Sequence, residues 1–127
     1  MPSGRFLFLA GMAVVLAMVP VLAVTVPGFV DMPAHTARHH ILAMAGEGGP
    51  LSRHFAVQWR WIGNLGADLP SVLLARWLGA ETATRWVAAL IAPLTVAGIV
   101  ALSRAAHGRF AASALLALPF AMSQPWA

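Results

Sequence analysis

The stretch FLFLAGMAVVLAMVPVLAVTV, residues 6–26, decides the class of this chain: it runs for 21 positions without a charge. As an α-helix it reaches roughly 31 Å, enough for a hydrocarbon core about 30 Å thick. Working outward, Trp86 to Ser103 and Phe110 to Trp126 are uncharged for 18 and 17 residues. Ile62 to Ala75 forms a fourth apolar block, interrupted mainly by Asn64 and Asp68. These blocks predict an all-α integral membrane bundle with about four transmembrane helices, near residues 6–26, 61–78, 86–103 and 110–126. A polar loop over 28–60 contains an interfacial helix, and the whole of 1–127 reads as one helical membrane domain.

Composition supports that class. Hydrophobic residues make up 60% of the 127 and charged residues only 9%, well below the quarter usual in soluble domains. Arg5 precedes the first block as it would in a secretory signal. A cleavable signal has a shorter apolar region and a small-x-small cleavage site, and residues 21–27 offer a poor one. An uncleaved anchor is the expectation. Pro20 is expected to kink this helix near its end, which neighbouring helices accommodate in a membrane.

The net charge of +4 comes from eight arginines and no lysine, against four acids. A pI near 11.8 in a soluble protein would suggest nucleic acid. Here the arginines stand singly near span ends, which points to snorkelling at the lipid interface and away from nucleic acid. The chain has no cysteine, which excludes disulfides, thiolate metal sites and a cysteine nucleophile.

Polar chemistry is concentrated between the first two blocks. Asp31 to His54 holds two of the four acids and four of the five histidines. Pro33 suits the first turn of a helix starting at Asp31 or Met32, running to Ala45 before Gly46-Glu47-Gly48-Gly49-Pro50 breaks it. Leu51 to Trp59 reads as an interfacial segment, with Trp59 and Trp61 in the aromatic belt. Short connections at Gly79 to Thr84 and Ala105 to Arg109 predict antiparallel hairpins.

Asp31, His35 and His39 are spaced four apart, so a helix stacks them on one face. Such a set could bind a divalent metal or share protons, although one straight helix rarely converges three ligands. The alternative is a wet interfacial helix with Asp31 at its amino end, where the dipole favours a carboxylate. His40 turns to another face. Asp68 lies near the middle of the second block, where a carboxylate costs about 2.5 to 3.5 kcal/mol on insertion scales. It should therefore face other helices or a water-filled cavity, as a clamp or as a catalytic group. Asn64, one turn earlier, is placed to hydrogen-bond it, and burial would favour its protonated form. Arg38 and Arg60 could hold a phosphate or contact lipid headgroups. Neither a GxGxxG nor a Walker loop is present.

Two motifs carry a resemblance. Asp31-x-Pro33-x-His35-x-x-Arg38, followed by Trp61-Ile62-Gly63-Asn64-Leu65-x-x-Asp68, resembles bacterial polytopic proteins similar to the GT-C superfamily of membrane glycosyltransferases. The turns at Leu78 to Arg85 and His107 to Phe110 are also similar. The resemblance implies an inner-membrane, multi-pass protein using a lipid-phosphate-linked sugar. Asp31 would be the general base, with His35, Arg38, Asn64 and Asp68 at the substrate site and Arg38 or a metal balancing the leaving phosphate. Many members carry a paired Asp-Glu where this chain has Asp31-Met32.

Charge counting places the amino terminus outside. The resemblance implies a cytoplasmic amino terminus, and we adopt that orientation, because arginines serving an outside phosphate site explain part of the reversal. The family has many more spans, so the chain is expected to be a piece or a shortened form, inactive alone. The alternative is a small non-enzymatic membrane protein, a transporter subunit or complex partner, associating with other membrane helices through Asn64 and Asp68.

Overall fold

The computed structural model describes residues 3–24, 28–109 and 112–116. Every regular element among them is helical: α1 (Ser3–Leu22), α2 (Met32–Met44), α3 (Leu65–Leu78) and α4 (Ala80–His107), with short 3-10 turns at Ala45–Glu47, Pro50–Arg53 and Ala112–Leu116. The fourth expected span, 110–126, lies largely outside the described residues.

Two of these helices, over Gly4–Leu22 and Ala80–His107, are long and apolar enough to cross a membrane. The second expected span is shorter than anticipated. α3 has 14 residues, about 21 Å, less than a hydrocarbon core. Its start moves to Leu65 because Gly63 and Asn64 form the preceding turn, with the Leu65 amide donating to the Ile62 carbonyl at 3.1 Å. The expected turn over Gly79 to Thr84 contracts to one residue. Gly79, at φ 79°, links the two helices in a conformation that only glycine adopts without strain, and α4 begins at once. α1, α3 and α4 each carry an interior proline, at Pro20, Pro70 and Pro93. Such positions are costly in a water-exposed helix and tolerated in membrane helices.

The chain groups into two compact units, one comprising Met1–Val26 with Ala89–Ala127 and the other Pro27–Ala88. In the first, α1 buries Phe6, Ala10, Ala13 and Ala17, whose spacing marks one helical face. Phe8, Met12, Val15 and Val19 are exposed. The carboxyl-terminal part of α4 buries Val96 while Leu94 and Leu102 are exposed. Apart from Phe6 and Val96, the buried residues here are alanines, and alanines on the inner face let helix backbones approach closely, as helices do in lipid.

The second unit is built on α2 packed against α3, with the turns Ala45–Glu47 and Pro50–Arg53 folded beside α2. α2 spans nearly the residues expected of it, Asp31 being its N-cap and Pro33 lying in the first turn. The segment after Arg53 is not helical until Leu65, so the expected interfacial segment is a single 3-10 turn followed by irregular chain. α3 turns two polar side chains inward and several large apolar ones outward. It buries Asp68, Ser71 and Val72, while Leu69, Leu73 and Trp77, one turn apart, are 46%, 66% and 86% exposed. A helix in water places these groups the other way round.

Candidate functional site

Packing of α2 on α3 brings the two sequence motifs together. The Arg38 guanidinium donates to both carboxylate oxygens of Asp68: Nε lies 3.0 Å from Oδ1 and 3.2 Å from Oδ2, and Nη2 lies 2.7 Å from Oδ2. The planar fork of arginine matches a carboxylate in this way, and the bond is charge-assisted. The pair is asymmetric in exposure, the Arg38 side chain being 39% accessible and that of Asp68 1%. Asp68 holds the Arg38 guanidinium still more firmly protonated than usual, chiefly through the hydrogen bond.

His39, the next residue on α2, is 2% exposed. Its Nε2 lies 3.3 Å from Asp68 Oδ1, without the geometry of a hydrogen bond, so this is an electrostatic contact. On the other side of the ring, Nδ1 is 2.8 Å from Thr84 Oγ1, and that hydroxyl lies 2.7 Å from the Ala80 carbonyl, to which it can donate. The second turn of α4 thus carries the partner of a histidine on α2. Burial pushes the His39 imidazole below its ordinary value, and the neighbouring His35 and Arg38 act in the same direction, against the pull of Asp68.

The remaining site residues lie elsewhere. Asp31 is the N-cap of α2, yet its side chain makes no capping hydrogen bond and is exposed. His35 is half-buried, its ring centroid 6.1 Å from that of His39. Among the described residues no group of three acidic or histidine side chains is arranged to hold a metal; Asp31, His35 and His39 share a helix without converging. Asn64 is exposed at the N-cap of α3. It meets Asp68 through the backbone, the Asp68 amide donating to the Asn64 carbonyl at 2.9 Å, because the carboxylate is taken by Arg38. The bidentate arginine also replaces the expected protonated Asp68 with an ion pair. Arg60 donates to the Gln58 side chain at 2.7 Å and lies outside this cluster.

Two participants were missed in the sequence, Thr84 and the buried role of His39. Thr84 falls in what reads as a turn. The spacing that singled out His39 pointed to Asp31, not to a partner 45 residues away.

Comparison with known proteins adds no relative: no family matches the chain, nor does any curated protein or solved structure.

Proposed function

We propose that this chain is a membrane-embedded helical protein whose Arg38–Asp68 clamp presents a polar outer loop, and that it is related to the membrane glycosyltransferases its motifs resemble. The observation that supports the membrane setting is the inverted α3, with an ion-paired carboxylate inside and Leu69, Leu73 and Trp77 outside. On this reading α1 and α4 are two of four crossings of a bacterial inner membrane, and residues 61–78 and 110–126 supply the others. Trp59 and Trp61 at one end of α3 and Trp77 at the other mark its interfaces, as amphipathic indole rings do. The amino terminus is cytoplasmic and residues 28–60 face outward.

Asp31 in that loop and Asp68 on α3 divide into different roles. Asp68 is buried and bound to Arg38, so it holds α2 on α3. Asp31 is exposed and its side chain makes no capping hydrogen bond, which leaves its carboxylate open to an incoming hydroxyl. On this reading Asp31 acts as general base in transfer from a lipid-phosphate-linked sugar, with His35 one turn along the same helix. The family its motifs resemble has many more spans, and on this reading transfer takes place only with further spans or a partner.

The test is sugar transfer by membranes carrying the chain together with those further spans. Asp31→Asn is expected to abolish transfer while the protein still inserts and folds. Undiminished transfer in that variant removes Asp31 from the reaction. It would favour the second reading, an assembly partner without turnover, which the mutual engagement of Arg38 and Asp68 also suits.

A further inference from the structure

The hydrogen bonds around His39 are over-determined in a way that has a chemical consequence. The Thr84 hydroxyl has one proton and two acceptors within reach, the Ala80 carbonyl at 2.7 Å and His39 Nδ1 at 2.8 Å. When the proton goes to Ala80, His39 Nδ1 must itself carry a hydrogen to bond Thr84. A neutral ring in that state leaves the bare lone pair of Nε2 beside Asp68 Oδ1, 3.3 Å away and off the hydrogen-bond axis. Two electron-rich atoms then lie side by side in a buried site with no hydrogen between them, an arrangement that costs free energy. Two states avoid the conflict. In one, the neutral ring carries its hydrogen on Nε2 and Nδ1 accepts from Thr84. In the other, both ring nitrogens are protonated and Thr84 donates to Ala80.

We propose that His39 is a buried proton-binding site joining α2, α3 and the start of α4, in which uptake of a proton turns the Thr84 hydroxyl from the imidazole to the Ala80 carbonyl. The proton comes from water and adds one positive charge beside Asp68. Every neighbouring element contributes to the setting. α3 supplies Asp68 and α2 supplies His35 and Arg38. α4 supplies the uncharged Thr84, flanked by the exposed Glu81 and half-buried Arg85. Glu47 and Arg53, on the two turns packed against α2, are exposed. Proton binding at this junction alters the grip of α3 and α4 on the helix that begins at Asp31.

The experiment is nitrogen NMR of the full chain with labelled histidine, in lipid nanodiscs, titrated from neutral to acidic pH. The His39 signals are identified by their loss in His39→Gln. The neutral form is expected to carry hydrogen on Nε2 and to become doubly protonated on acidification. Thr84→Val, which takes away the acceptor for the charged ring, should lower the midpoint by about one pH unit, since bonds to charged groups are stronger than those to neutral ones. Thr84→Ser should leave it in place. A neutral form with hydrogen on Nδ1 overturns the proposal without recourse to any variant at Thr84. So does a ring that never gains a proton, or a midpoint unmoved in a Thr84→Val protein of unchanged helicity.

Discussion

Arg38 grips Asp68 through both carboxylate oxygens across 30 residues of chain, yet only the arginine reaches solvent. The two halves of the pair are therefore not equivalent. Removing the arginine strands a buried carboxylate, and removing the carboxylate frees a half-exposed guanidinium to turn outward.

Arg38→Met should accordingly destabilise the second unit by about 3 to 5 kcal/mol, the cost of an uncompensated buried charge. Asp68→Asn should cost less, about 1 to 3 kcal/mol, the worth of hydrogen bonds to a charged group. Combining Arg38→Met with Asp68→Leu should recover most of the loss, since a buried ion pair exchanges with apolar packing at small net cost. Denaturant unfolding in detergent, followed by circular dichroism, ranks the three. Equal losses in the two single variants would contradict the asymmetry.

His39 predicts a pH dependence with a definite sign. Burial holds its folded value below the ordinary one, so the unfolded chain takes up protons first as pH falls. The stability contributed by the neutral ring is complete above about pH 6.5 and is lost as pH drops through the lower folded value. Thermal unfolding at neutral and acidic pH should show a larger acid loss in the parent protein than in His39→Gln. The same acid loss in both would remove His39 as its source.

Reporter fusions at Gly48 and Gly79 test whether α3 crosses the bilayer. Gly48 should report the outer side and Gly79 the cytoplasm. Both residues on one side would make α3 an interfacial helix and leave α1 and α4 as the crossings.

Local signals in the sequence located helices better than they located partners. Asp31 and Pro33 marked the start of α2, and the glycines after Ala45 marked its end, because capping and chain breaking are properties of neighbouring residues. Uncharged run length found α1 and the body of α4 for the same reason. It did not find the ends of α4, since Glu81, Thr84 and Arg104 are as acceptable at a helix terminus as in a turn. The polar pairings were legible only in part. The depth of Asp68 demanded a partner, but helix periodicity offered Asn64, whereas the partner came from a different helix. Contacts such as Arg38 to Asp68 and His39 to Thr84 arise from how helices pack, which spacing along one helix does not encode.

The central claim is that the outward face of α3 meets lipid and its polar face meets protein. The chain has no native cysteine, so single-cysteine labelling in intact membranes reads this directly. Leu73→Cys, at a position 66% exposed on the protein surface, should resist a water-soluble maleimide, while Ser52→Cys in the outer loop reacts readily. Leu73→Cys labelling as fast as Ser52→Cys would place that face in water and contradict the account.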